Sequence, residues 1–269
     1  VPLLRDTEVI EQPADQNTIT RRYTEESVQF IKDHAQTPFF LYLAHSMPHI
    51  PLFTHESFRG RSARGLYGDV IEEIDWSVGQ VLDTLRELDL ANNTVVVFTS
   101  DNGPWLRFET HGGSAGPLRA GKGTTFEGGQ RVPTVFWGPG LVQPGVVNGI
   151  GSTIDLMETF ATLAEVDSPT DRKMDGYDLS ATLTHHKPSP RSEFFYWNRG
   201  LLHAGRIADM ESPELYHLEY DISEAYDVAH QNPEIVQRLT LLADQHSLDT
   251  ADSLPDQLAE RIPDFTYRR

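Results

Sequence analysis

The sequence predicts an α/β fold, and three observations carry that expectation. A helical pattern is followed by a strand pattern twice over. The strand candidates are apolar along their whole length, not at every second position, which marks strands covered on both faces. The strongest helix candidate has a single apolar stripe, as a helix packed on a sheet needs. Together they point to a sheet with at least some parallel pairing.

Residues 1–20 are polar and interrupted by proline, and read as a loop. Tyr23 to Ala35 reads as a helix: Thr24 is a candidate N-cap, Glu25 and Glu26 fill the first turn, and Val28, Ile31 and His34 share a stripe. Pro38 to Ala44 is a short apolar run bounded by proline and histidine, and reads as a buried strand. In Asp69 to Leu90, Val70, Ile74, Val78, Leu82 and Leu85 follow helical spacing, and Asn92-Asn93 ends the run. Thr94 to Thr99 follows as a second buried strand. Ser100 to Arg131 is a glycine-rich excursion, and Val132 to Trp137 a third strand. Thr153 to Ala164 reads as a helix, and residues 166–192 as loop. Phe194 to Trp197 and Leu215 to Tyr220 read as strands of a smaller C-terminal sheet. Pro233 to His246 is a final amphipathic helix that starts on proline, and the polar tail beyond Asp249 is expected to wrap the surface.

Composition narrows the function. The 269 residues contain 22 Lys and Arg against 40 Asp and Glu, a net charge of -18, and no cysteine. Disulfide scaffolds, thiolate metal sites and cysteine nucleophiles are excluded. The acidic balance argues against nucleic acid, which is bound by basic patches. No apolar run reaches the ~18 residues of a membrane helix, and Val1 to Asp6 lacks the features of a signal peptide. The charge is uneven. From Leu201 onward there are 14 acids and 5 bases, whereas Asp101 to Ile150 has three acids and four bases. A near-neutral, glycine-rich island in an acidic chain suits an anionic ligand, although so short a window also varies by chance.

Three constellations can carry chemistry. Ser100-Asp101-Asn102-Gly103 follows an apolar strand, where open α/β sheets bind ligands. Asp and Asn offer hard oxygens for Ca²⁺ or Mg²⁺, and the same residues also make a good turn. Gly116 to Gly123 nearly matches a phosphate-binding loop, but Gly123 stands where Ser or Thr should hold the metal, and no strand leads into it. What remains is Lys122, a point charge on a glycine-rich loop, where a solvated surface lysine is the plain alternative. His45-Ser-Met-Pro-His49 follows the first strand; its histidines suit proton transfer or anion contact, or simply cap the strand. Each constellation lies beyond the C-terminal end of a predicted strand. Converging there, they describe a site for a tetrahedral anion beside a divalent cation.

Phe39 to Pro51, Phe98 to Pro104 and the run from Leu118 through Lys122-Gly-Thr-Thr-Phe-Glu-Gly-Gly-Gln-Arg131 to Pro133 resemble the sulfatase family in order and spacing, nearest to its arylsulfatase A and N-acetylgalactosamine-6-sulfatase branch. Ile154 to Thr159, Met174 to Ser180 and Glu214 to Leu218 resemble its downstream segments. The resemblance implies an alkaline-phosphatase-like α/β fold: a mixed, mostly parallel sheet with flanking helices, and a small C-terminal antiparallel sheet with a helix. Residues 1–170 would be the C-terminal part of the catalytic domain, and 171–269 a small subdomain with an acidic tail.

The resemblance also implies roles. Asp101 and Asn102 match metal ligands, usually for Ca²⁺. Lys122 matches the lysine that contacts the sulfate. His49 matches the histidine that contacts the sulfate and the leaving group. Glu127, Gly128, Gly129 and Arg131 shape the loop, and His45 and His111 match no catalytic position. The implied substrate is an aryl or carbohydrate sulfate ester, a sulfated small molecule or glycan. The implied nucleophile is a formylglycine made from a Cys/Ser-x-Pro-Ser/Ala-Arg motif, and no such motif occurs here. The motif, a pair of metal aspartates and a further Lys/His pair are expected in a missing N-terminal half. Family members are secreted, periplasmic or lysosomal. A phosphodiester or phosphonate hydrolase of the same superfamily and a non-catalytic remnant are the rival readings.

Overall fold

The computed structural model describes residues 1–198, 201–204 and 213–251. The chain opens on an antiparallel hairpin, β1 (Leu3–Arg5) and β2 (Glu8–Glu11), in place of the predicted loop. Most of its residues are exposed, so no hydrophobic period announces it. Helix α1 (Ile19–Asp33) begins ahead of the predicted Tyr23. The side chain of Asp15 caps the 3-10 turn Gln16–Thr18 that leads into it. Thr24 is therefore inside the helix, buried, and donates to the Thr20 carbonyl at 2.7 Å instead of capping. Helix α2 (Gly65–Glu87) packs along α1 and matches the predicted apolar stripe, with Val70, Ile74 and Leu85 buried.

The sheet departs most from expectation. Pro38 to Ala44 has no ladder partner among the described residues, and Phe40 and Tyr42 are 71% and 81% exposed. Strand β3 (Val96–Thr99) is followed by the four-residue helix α3 (Glu127–Gln130) and by strand β4 (Thr134–Trp137). β3 and β4 pair antiparallel, from Val96 opposite Trp137 to Thr99 opposite Thr134. Phe98 and Val135, which face each other across this ladder, are 41% and 57% exposed. The predicted mostly parallel, doubly covered sheet is thus not present among the described residues, where every ladder joins two antiparallel strands. Full burial of an apolar strand takes packing on both faces, and the exposed Phe98 and Val135 show a face left uncovered among the described residues.

Beyond β4, the 3-10 turn Thr153–Asp155 leads into α4 (Leu156–Leu163), with a capping box between Ser152 and Asp155. A short helix α5 (Ser180–His185) interrupts the predicted loop. The buried Asp155 carboxylate binds Arg191 (Nη2 to Oδ1 2.5 Å, Nε to Oδ2 2.9 Å) and accepts the amides of Ser152 and Tyr177. Burial pushes the Asp155 carboxyl up, but Arg191 and the two amides outweigh it and the net shift is downward. This one carboxylate ties residues 152, 177 and 191 together.

The C-terminal sheet is the antiparallel hairpin β5 (Phe195–Asn198) and β6 (Leu201–Ala204), on which α6 (Pro233–Ala251) packs. Leu215 to Tyr220 is not its second strand. The Leu215 amide donates to Asp227 Oδ1 at 2.9 Å and its carbonyl accepts Val228 N–H at 2.9 Å, so its backbone groups are satisfied locally. Residues 199–200 and 205–212, between the two predicted strands, lie outside the described residues, as does the tail from residue 252.

Candidate active site

His49 is held by the helix beside it. Asp69, Glu73 and Ser77 recur every four residues on α2 and are all buried. Asp69 accepts the amides of Gly60 and Ser62, each at 2.8 Å. Those amides, Ser62 first, hold its carboxyl below the ordinary value. Glu73 Oε2 accepts the Thr54 hydroxyl at 2.7 Å and the His55 amide at 2.9 Å. Ser77 Oγ lies 3.2 Å from His45 Nε2 and 2.6 Å from the Thr24 hydroxyl, which joins α1, α2 and the segment before His49. Met47 and Leu52 pack on Val70 and Ile74 in a shared apolar cluster, with Ile50 and Phe53 against it. The segment is thus pinned on both sides of His49, which itself stays exposed. Its Nδ1 is 2.7 Å from the Ile50 carbonyl. A carbonyl only accepts, so Nδ1 carries the proton and Nε2 is left for a ligand.

Backbone packing fixes the other three candidates. Gly103 N–H donates to Gly129 O at 3.0 Å, Lys122 N–H to Pro104 O at 2.9 Å and Gly128 N–H to Arg119 O at 2.9 Å. The loop after β3, the Lys122 loop and α3 therefore lie backbone on backbone. A Cβ at Gly103 would sit 1.8 Å from Gly128 O, and one at Gly128 would sit 2.3 Å from Ala120 O. Only glycine permits that approach. Arg119 braces the weave from outside: it lies over the Phe126 ring at 3.9 Å and donates to Tyr216 Oη and Glu224 O, each at 3.0 Å. Glu127 N–H donates to Glu224 Oε2 at 3.0 Å, close to Tyr196, whose hydroxyl is pushed up to about 12, first by burial and then by Glu127 and Glu224.

His49 and Lys122 come together at Trp105. The His49 ring centroid is 5.8 Å from that of Trp105, and Lys122 Nζ is 5.2 Å from the Trp105 ring. Lys122 is half-buried and has no anionic partner among the described residues. Among the described residues its ammonium meets the Trp105 ring and no carboxylate, which leaves its charge available to an anion. Asp101 and Asn102 stand on the same loop as Trp105. The exposed Asp101 carboxylate makes no hydrogen bond or ion pair with a described residue. Two free oxygen donors fit part of a Ca²⁺ shell, which takes about six to eight. No described group of three His, Cys, Asp or Glu residues completes it. His111 is exposed on the 3-10 segment Leu106–His111, and Arg131 lies 4.0 Å from Glu127.

Sequence reasoning missed Trp105 and the Asp69–Glu73–Ser77 row. The row had a signal, since polar residues at four-residue spacing beside an apolar stripe form a second, narrower stripe. Trp105, following Asp-Asn-Gly-Pro on an irregular loop, gave none.

The sulfatase family profile matches residues 5–166. The chain is 39% identical over 221 residues to the steryl-sulfatase of Homo sapiens, covering 80% of this chain and 38% of that protein. It is 42% identical over 215 residues to the N-acetylgalactosamine-6-sulfatase of Mus musculus, covering 75% and 41%. Among solved structures, the PsFucS1 sulfatase from Pseudoalteromonas sp. superposes with a TM-score of 0.80 at 25% identity, over 89% of this chain and 55% of that one. The chain thus spans about two fifths of the length of the curated relatives it matches, and its structural neighbours are sulfatases of the alkaline-phosphatase-like fold.

Proposed function

Because the chain belongs to the sulfatase family, we propose that it supplies the sulfate-binding side of a sulfuric ester hydrolase acting on aryl or carbohydrate sulfates. The observation that carries this is Lys122, a half-buried cation without an anionic partner among the described residues, gathered with His49 at the Trp105 ring. Lys122 neutralises charge on the sulfate oxygens as it moves toward the leaving oxygen. His49 keeps Nδ1–H on the Ile50 carbonyl and presents Nε2 to the ester. Protonated there, it donates to the departing alcohol oxygen. Asp101 and Asn102 would hold the cation, Ca²⁺ in the family, and it would supply positive charge beside the sulfate.

The nucleophile, a formylglycine in the family, lies outside this chain, in an N-terminal half that also completes the metal shell. The same half adds strands to a larger sheet beside Pro38–Ala44 and β3, which expose Phe40, Tyr42 and Phe98. Residues 1–170 form part of the catalytic domain and 171–269 a smaller subdomain. The implied location is secreted, periplasmic or lysosomal. Among the described residues no helix is long and apolar enough to cross a membrane.

The test is turnover by the full-length protein of an aryl sulfate against an aryl phosphodiester. Preference for the sulfate is expected, with kcat/KM falling roughly 10²–10³-fold in Lys122→Ala. Preference for the phosphodiester, or turnover of neither, would overturn the reading.

A further inference from the structure

Trp105 has no part in the proton and charge chemistry, yet it stands where both candidate side chains meet. Lys122 Nζ is 5.2 Å and the His49 ring 5.8 Å from its ring. Phe108 meets it edge-on at 4.7 Å and 69°, which sets the plane of the indole. Its backbone is held on both sides: Phe108 N–H donates to Trp105 O at 3.0 Å, and Lys122 N–H to Pro104 O at 2.9 Å. A tryptophan serving only as core would be covered, with its indole N–H paired. Trp105 is half-buried, and its Nε1–H donates to no described residue. Leu106 and Phe108 beside it are 44% and 41% exposed, so the apolar surface continues outward from the ring.

A sulfate held between Lys122 and His49 carries its ester substituent away from the charged oxygens. Trp105, 5.8 Å from the His49 ring and 5.2 Å from Lys122 Nζ, is an aromatic surface within reach of that substituent. We propose that Trp105 is the floor of a subsite for the ring of the leaving group, so that the site takes ring-bearing sulfate esters in preference to small alkyl ones. This rests on the sulfatase reading. Trp105 fixes where the organic part lies, while Lys122 and His49 fix the sulfate.

Equilibrium binding to the whole protein separates the two ideas. Isothermal titration is run with 4-nitrobenzenesulfonate, methanesulfonate and inorganic sulfate, none of which carries a cleavable sulfate ester. The native protein is expected to bind the nitrophenyl sulfonate roughly five- to tenfold more tightly than the methyl sulfonate, the scale of one aromatic contact. Trp105→Leu, which keeps apolar bulk without a π-face, is expected to erase that preference while inorganic sulfate binding stays within about twofold. Trp105→Phe should retain most of it, and so guards against a folding defect in the leucine variant. Lys122→Ala should weaken all three anions. If the anions bind through Lys122 but the ring preference is absent, or survives Trp105→Leu, the subsite is overturned and the sulfatase reading stands. An equal loss for all three anions in Trp105→Leu also overturns it, because the ring then only props Lys122. If no anion binds and Lys122→Ala changes nothing, the sulfatase reading fails and the subsite with it.

Discussion

Gly103 and Gly128 show how much of this site rests on an absent side chain. A Cβ at Gly103 would meet a carbonyl oxygen at 1.8 Å, and one at Gly128 would meet two backbone oxygens at 2.3 and 2.4 Å. Backbone cannot rotate aside as a flexible side chain can. Gly103→Ala is expected to destabilise the protein by about 1–3 kcal/mol, as overpacking does, and to lower sulfate affinity by shifting Asp101 and Lys122 together. Urea unfolding and sulfate titration of the one variant measure both. Unchanged stability would show that the weave is looser than its geometry. His45 gives a second prediction at this scale. Burial depresses its pKa from 6.5 against the opposing pull of Glu73, and its Nδ1 is buried without a partner. The folded state therefore holds fewer protons than the unfolded state below that value. Stability from neutral His45 is present above pH 6.5 and lost as pH falls toward the lowered folded pKa. The melting temperature of His45→Gln should accordingly fall less than that of the native protein between about pH 6.5 and 5. Parallel curves for the two would exclude this role.

At the scale of elements, α2 is where sequence and structure agree best and where the sequence withheld most. Its apolar stripe was legible because 3.6-residue spacing over about four turns has no competing explanation. Its polar row left only the four-residue spacing as a trace, since Asp69, Glu73 and Ser77 otherwise read as solvent-facing residues until the segment from His45 to Ser62 is laid over them. The strand from Pro38 to Ala44 failed for a related reason. An all-apolar run states that a segment can be covered but not what covers it, and pairing depends on the neighbour. The site motifs were readable because they are local: Asp101, Asn102 and Lys122 depend on turns and glycines within one excursion, which spacing records. Trp105 depends on three segments meeting, which it does not. Glu73 offers the test at this scale. Glu73→Ala would leave the buried Thr54 hydroxyl and His55 amide unpaired, at about 1–3 kcal/mol each. It should also loosen His49, so that kcat falls along with stability. Glu73→Gln keeps an acceptor and should recover most of both. If Glu73→Ala lost stability yet kept full kcat in the full-length enzyme, the row would serve the fold without positioning the histidine.

For the whole molecule, the question is what the exposed apolar surface does. Among the described residues, Phe40 and Tyr42 lie on a segment without a ladder, and Phe98 and Val135 face each other across a sheet of two strands. Phe40 is 6.0 Å from Phe160, so this surface reaches α4. Unpaired strand edges flanked by aromatic residues recruit further strands, from whatever chain offers them. The formal charge of -18 opposes self-association at long range, but it is screened beyond about 10 Å at 0.1 M salt, while edge pairing acts at contact. The 269-residue chain by itself is therefore expected to be monomeric at low ionic strength and to associate as salt is raised. Sedimentation velocity across a salt series would show the shift, and lysine at Phe40 and Tyr42 should suppress it by placing charge on the edge. A chain that stayed monomeric and melted cooperatively at high salt would mean that the aromatic edge is inert in this form. The proposal that strands from an N-terminal half cover it would then lose its main structural support.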